Sequence, residues 1–172
     1  MNKNVVIGSK VILREKRLAD IWDDYTWEVD TELAQLDAAS LETASFPRYL
    51  LEYIHELQNP PLTRQRFAID TLDGKHIGNC SYYNISDTKD ELELGIMIGN
   101  RSYWNKGCGT DTVTTLVNYI FRHTKCDRIY LKTLELNTRA QKCFQKCGFT
   151  LCGHLVKDSF SFVIMEIHRK QR

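Results

Sequence analysis

The chain has 172 residues, 42% of them apolar and 26% charged, with a net charge of +1. This suits one globular domain over residues 1–172, and the interspersed charge gives no electrostatic case for nucleic acid or a membrane surface as a partner. No leader of signal-peptide type and no run of 18 apolar residues is present, so a cytoplasmic location is the default expectation.

In chain order, "KVILREK" from Lys10 alternates and reads as a first strand. Leu18, Ile21, Trp22, Tyr25 and Val29 then recur at helical spacing, with Asp20 near the helix start, where a negative charge is favoured. "TELAQLDAASLETAS" is less regular and reads as a surface loop or a mobile, substrate-facing region. A second helix is expected from Phe46 to Gln58, with Ser45 as its cap, Pro47 in its first turn and Pro60-Pro61 past its end.

The period then changes. "RQRFAIDTLDGKHIGNCSYYNIS" reads as two strands around Asp73-Gly74, a hairpin signal because both positions tolerate positive φ. "DELELGIMIG" is a fourth strand. A helix follows with Val113, Leu116, Val117, Ile120 and Phe121 as its stripe, then a fifth strand, "DRIYLKTLEL". Ala140, Cys143, Phe144 and Cys147 form the next helix face, with Gly148 just past its end. "FTLCGHLVKD" and "SFSFVIMEIHR" close the chain as two more strands. A strand–helix–strand unit implies a parallel pair, and the hairpins imply antiparallel neighbours, so the sheet is mixed.

None of Cys80, Cys108, Cys126, Cys143, Cys147 and Cys152 forms a CxxC pair, and reduced thiols are expected. Cys143 and Cys147 share a helix face, either as small core residues or as a metal pair; no His lies at finger-like spacing, and no metal is expected.

Between the fourth strand and its helix lies Lys106-Gly107-Cys108-Gly109. The first N–H groups of a helix lack partners and carry partial positive charge, so an anion gains bonds there and glycines leave it room. Neither GxxxxGK(S/T) nor GxGxxG is present, since Thr112 stands at the third glycine position. By itself the GxG is either a tight turn or a pyrophosphate site. "NTRAQKCFQKCGF" from Asn137 opens the next helix at the exit of the fifth strand, so both motifs sit at the C-terminal ends of adjacent parallel strands, where open α/β sheets bind ligands.

These two motifs together resemble the GNAT superfamily of acetyl-CoA-dependent N-acetyltransferases. Trp104-Asn105-Lys106-Gly107-Cys108-Gly109 is similar to the family loop, and Asn137, Ala140, Lys146, Gly148 and Phe149 match its later motif. "VILREKRLADIWDDYTW", "FAIDTLDGKHIGNCSYYNIS" and "ELELGIMIGNRSYWNKGCGT" resemble the branch holding ribosomal-protein, spermidine and aminoglycoside acetyltransferases. The resemblance implies an α/β (α+β) fold: a mixed sheet of six to seven strands, about four helices, and strands four and five parallel and splayed.

It further implies that backbone amides from Asn105 through Lys106, Gly107, Cys108 and Gly109 to Thr110 hold the pyrophosphate of acetyl-CoA. Met97 and Ile98 would pair with the pantetheine arm, and a backbone N–H near Met97 would serve the oxyanion. Asn137 would bind the arm, cap its helix, or both, and Lys142 would approach the terminal phosphate or stay solvated. The acceptor would be a primary amine of a small molecule or a protein N-terminus. A homodimer is the common case for soluble oligomers.

An alkylammonium has a pKa of about 10.4, so the amine must lose a proton before it attacks. Alternation puts Glu91 and Glu93 together on one face of a central strand, making both candidates for the base, with Glu93 preferred because it lies deeper; Asp70 and Glu135 are weaker ones. Trp22, Trp27, Tyr82 and Tyr83 are aromatics of either the acceptor pocket or the core, and Asp23, Asp24 and Glu28 either attract a polycation or form a wet helix face. Two residues depart from the family pattern. Trp104 replaces a Gln or Arg, and Phe144 replaces the tyrosine that protonates the departing thiolate; Tyr103, Cys143 or water would have to substitute. Phe144 keeps open a coenzyme-A-binding regulatory protein with little catalysis.

Overall fold

The computed structural model of the chain describes residues 5–85 and 90–170. Ser86, at the end of the segment read as the third strand, lies outside them. Eight strands form one sheet: β1 (Val6–Ile7), β2 (Val11–Arg14), β3 (Arg64–Thr71), β4 (His76–Tyr83), β5 (Glu91–Ile98), β6 (Arg128–Leu134), β7 (Thr150–Lys157) and β8 (Phe160–His168). The described helices are α1 (Ile21–Glu28), α2 (Thr31–Leu36), α3 (Phe46–Gln58), α4 (Cys108–His123) and α5 (Thr138–Lys146). The expectation of six to seven strands and about four helices is thus exceeded by β1 and α2. β1 has two residues and α2 six, too few for a period to emerge from the sequence.

The strand order is β1-β2-β3-β4-β5-β6-β8-β7, antiparallel throughout except for β5 and β6. Alternation assigns the two faces. Val11, Leu13, Phe67, Ile69, Leu92, Leu94, Ile129 and Leu131 join the core with Val113, Leu116 and Ile120 of α4. Truncating the fully buried Leu116 to Ala would cost about 2–5 kcal/mol. The opposite face carries Arg14, Asp70, Asn79 and Glu93, and there Asn79 reaches Asp24 of α1.

β5 and β6 pair only from Glu91 to Glu93, opposite Arg128 to Tyr130. Beyond that they part, as expected for strands four and five. Each keeps an antiparallel neighbour on its outer side, β4 for β5 and β8 for β6, so the parting leaves only their facing backbone edges without a ladder.

Two local expectations change. The hairpin loop closes between Thr71 and Lys75, with Thr71 N bonded to Lys75 O at 2.9 Å. It therefore has three residues, and of the Asp73-Gly74 pair only Gly74 takes positive φ. Ser45 holds the N-cap position of α3, but its side chain makes no cap bond. Asp20 stands at the N-cap position of α1, as its expected place near the helix start requires, and its buried side chain binds Arg14.

Candidate active site

The gap between β5 and β6 opens into a cleft of about 580 Å³. A second cavity of about 790 Å³ lies on the sheet face under α1 and α2. The two share Leu33, Asp37, Tyr83 and the Gly95–Met97 stretch of β5. Two ligands entering from opposite sides would therefore meet at the middle of β5.

One end of the first cleft is built by the start of α4. Asn105 has φ +58° and Gly107, the N-cap, φ +82°, so the chain turns sharply and its first helical N–H groups face the cleft. Asn105, Gly107, Gly109 and Thr110 line it, whereas Lys106 and Cys108 do not. The Lys106 ammonium lies over the Tyr103 ring at 5.6 Å, and the Cys108 side chain is buried, because the first helical turn points it into the core. Their contribution there is limited to backbone. Asp111 anchors the turn by accepting the N–H groups of Ser9, Lys10 and Val11, at 2.7 Å for Lys10. That brings Lys10 to the loop: its Nζ donates to Lys106 O at 2.8 Å and lies 3.2 Å from where a Gly107 Cβ would stand. Nothing in the run "KVILREK" marks Lys10, since the contact spans 96 residues.

Trp104 is explained by its contacts. Its indole N–H donates to Ile98 O at 2.6 Å, and the Arg139 guanidinium lies 3.5 Å over its ring. Trp104 thereby closes one end of the β5 edge. Asn137 caps α5, accepting from Ala140 N at 3.2 Å, and also lines the cleft, as do Lys142 and Lys146.

The expectation for Met97 needs correction. Asp90 O takes the N–H of Arg128, and Ile98 O takes Trp104, so even-numbered residues of β5 turn their backbone polar groups toward β6. The β4–β5 register is unbroken, so Met97 turns its own toward β4. A Cβ on Gly78 of β4 would lie 2.2 Å from Met97 O. Ile96 and Ile98 are the residues that face the cleft with backbone.

Of the two candidate bases, Glu91 is not brought to the site. It sits at the strand's start, outside both cavities, bound to Arg128 at 2.6 Å. Glu93 does line the cleft, 6% exposed. It accepts from Tyr83 OH at 3.1 Å, Asn84 at 3.2 Å and Lys132 at 3.2 Å, so three donors already occupy its oxygens. Asp70 lies in a buried ion-pair network and Glu135 on the surface. Phe144 is buried at the cleft wall, and the hydroxyl where the two cavities meet is that of Tyr83.

The acids of α1 and its neighbours fall into two groups. Asp20, Asp24 and Asp70 are buried among cations. Arg14 reaches Asp20 at 2.7 Å and Asp70 at 2.6 Å, Lys16 reaches Asp24 at 2.5 Å, and His76 lies between Asp24 (3.2 Å) and Asp70 (3.4 Å). Burial alone would push these carboxyls up, but hydrogen bonds from Arg14 and His76 hold all three below the ordinary range. Asp24 is thus neither a wet-face residue nor a polycation site.

Glu28 and Asp37 are the second group. They line the second cavity, and no cation pairs with either among the described residues. Burial raises Glu28. Water reaches Asp37, yet the enclosing walls and the charge of Glu28 push its carboxyl up to about 6. Glu56, Arg64 and Arg66 complete the charges of this wall, with Glu56 bound by both arginines, which leaves three carboxylates against two guanidiniums. Asp37 belongs to "TELAQLDAASLETAS", the segment read as a loop or substrate-facing region. Of the four aromatics, Trp27 and Tyr83 line this cavity, Tyr82 is core, and Trp22 is 63% exposed against Phe46.

A parallel pair of strands that part over a glycine-bounded helix N-terminus makes an open α/β sheet with a ligand-sized cleft at its strand ends. Residues 10–150 match the acetyltransferase (GNAT) domain. The chain belongs to the GNAT acetyltransferase family, and its class is that of the N-acetyltransferases. It is 24% identical over 148 residues to an uncharacterized N-acetyltransferase p20 of Bacillus licheniformis, covering 85% of this chain and 82% of that one. It is 25% identical over 117 residues to spermidine N(1)-acetyltransferase of Vibrio cholerae, covering 66% and 67%. The crystal structure of spermidine N-acetyltransferase from Vibrio cholerae with CoA and spermine superimposes with a TM-score of 0.82 at 20% identity, over 93% of this chain and 96% of that one. Aminoglycoside acetyltransferase AAC(6')-Ib with coenzyme A does so at 0.75 and 22% identity, over 92% and 95%.

Proposed function

We propose that this protein transfers the acetyl group of acetyl-CoA to a primary amine of an acceptor carrying more than one positive charge, by direct attack in a ternary complex. The observation that carries this reading is that two cavities, one ending at a helix N-terminus and one acidic, meet at the middle of β5. The curated relatives include a spermidine acetyltransferase, which fits a polycationic acceptor.

In this reading the N–H groups of the Gly107–Thr110 turn hold the pyrophosphate, with Lys10, Lys142 and Lys146 around it. The arm lies along the cleft-facing backbone of Ile96 and Ile98. Acetyl-CoA supplies the activated acyl group. Glu28 and Asp37 hold the acceptor's cationic body, and Asp37 takes the proton from the reacting amine. A carboxylate near pKa 6 is charged at neutral pH yet basic enough to accept a proton, and unlike Glu93 it is not already occupied by three donors. As the amine nitrogen bonds to the thioester carbon, the carbonyl oxygen becomes an oxyanion that the Ile96 N–H can meet. The C–S bond then breaks, and the thiolate leaves with a conjugate-acid pKa of about 8.5, which lessens the need for a donor at Phe144.

The direct test is thiol release from acetyl-CoA in the presence of polyamines, aminoglycosides and N-terminal peptides. Release with a polycationic amine is expected. Acetyl-CoA binding without release by any amine would favour the second reading, a coenzyme-A-binding regulatory protein, for which Phe144 is the supporting observation. Gly107→Glu places bulk and charge at a left-handed N-cap beside Lys10, and acetyl-CoA affinity should fall on the order of 100-fold or more. Unchanged affinity in the folded variant would end the loop assignment.

A further inference from the structure

Cys143 and Cys147 are unused by the reaction above, yet both point from α5 at the first turn of α4. Cys143 lines the coenzyme cleft and is half-buried. Its Sγ lies 3.5 Å from the Thr110 hydroxyl and 3.5 Å from where a Gly109 Cβ would stand. Cys147 Sγ donates to Thr110 O at 3.5 Å and accepts from the Thr114 hydroxyl at 3.6 Å. The pair therefore sits against the positive end of a helix of 16 residues, in the field that favours a phosphate.

We infer that Cys143 is a modification site: it exchanges with disulfides of small thiols, and the resulting adduct closes the coenzyme cleft. This rests on the coenzyme reading of that cleft. The surroundings favour the reactive form. The Thr110 hydroxyl, the charge of Lys146 and the N-terminus of α4 favour the Cys143 thiolate and hold this thiol below the ordinary range. Cys152 is more exposed, but burial and Glu166 raise it, and Cys80, Cys108 and Cys126 are buried. In the exchange the Cys143 thiolate attacks one sulfur of the disulfide RSSR. Its S–S bond breaks, a Cys143–S–S–R bond forms, and RS⁻ departs and takes a proton from water. The disulfide is the only oxidant needed. The R group then occupies the wall of the cleft beside Thr110, where the pyrophosphate would lie.

The test treats the reduced full chain with oxidised glutathione at pH 7 and maps the adducts by mass spectrometry over time. Cys143 should be labelled before Cys152, and acetyl-CoA binding should be lost in step with Cys143 labelling. With acetyl-CoA at ten times its Kd, labelling of Cys143 should slow roughly tenfold and that of Cys152 should not change. Cys143→Ser should abolish the sensitivity of binding to oxidised glutathione, whatever its own affinity. Labelling of Cys152 first, or full Cys143 labelling with binding intact, would overturn the inference. If the reduced protein binds no acetyl-CoA, the coenzyme reading fails instead, and the order of labelling alone decides on Cys143. The disulfide of coenzyme A forms a second arm: faster labelling than by glutathione assigns the source to the cleft's own ligand, and equal rates assign it to small disulfides in general.

Discussion

Two groups of carboxylates lie on the same face of the sheet, a few turns of chain apart, and their environments are opposite. Asp20, Asp24 and Asp70 are closed in by Arg14, Lys16 and His76, with Tyr53 and Asn79 filling the remaining bonds of Asp24. Glu28 and Asp37 border an open cavity, and neither forms an ion pair among the described residues, the arginines of that wall being bound to Glu56. The first group is a polar cluster satisfied within the chain, which orients β2, α1 and β3. The second makes no such pairs among the described residues and stays open to solvent and to a ligand. Completeness of partners, more than burial or charge alone, separates residues that hold the fold from residues that wait for a ligand.

The largest expected effect breaks the first group. Asp24→Ala strands Lys16 and His76 in the interior, and the unfolding free energy should fall by about 3–5 kcal/mol, read from urea denaturation. A loss comparable to that of an exposed acid would mean that the cluster is not structural. The pH dependence of stability sharpens the same point. The three carboxyls have folded pKa values below their unfolded value of about 4, so the stability they add is present above that pH and is lost as pH falls below it. His76 is raised by Asp24 and Asp70 despite its burial, so its contribution is full below about 6.5 and is lost as pH rises through its folded value. Stability from this cluster should peak between roughly pH 4 and 6.5.

Changes in the second group should spare the fold. Glu28→Gln should raise the KM of a polycationic acceptor roughly tenfold, with kcat little changed, because it removes one charge of the acceptor wall. An equal rise for a monoamine would argue against a charge-reading role. The smallest effect is on stability. Asp37 is exposed to solvent, so Asp37→Asn should leave the melting midpoint at neutral pH within about 1 °C of the wild type. A lower midpoint would place Asp37 with the structural acids.

Much of this was legible in the sequence for physical reasons. Gly107, Gly109 and Asn137 are punctuation residues whose backbone or capping demands are local, and the apolar stripe of α4 has a full period to display. Lys10 beside the loop and Asp37 between the two cavities were not legible, because contacts between distant segments bring them there. Glu91 and Glu93 share a strand face, yet only one reaches the cleft; the separation depends on where β5 leaves β6, and alternation carries no trace of it. Met97 was misassigned for a related reason. Which backbone edge a strand residue offers depends on the parity of its ladder, and a shift of one residue reverses it.

The central claim, that Asp37 is the base where the two cavities meet, is tested most directly by kcat/KM for a polyamine acceptor as a function of pH, in the wild type and in Asp37→Asn. The acceptor's own ammonium makes log kcat/KM rise with pH throughout. The account predicts that in the wild type the rise steepens below about pH 6, where Asp37 becomes protonated. In Asp37→Asn that steeper limb should be absent and the rate above it lower by roughly 10²-fold. An unchanged limb and an unchanged rate in the variant would contradict it.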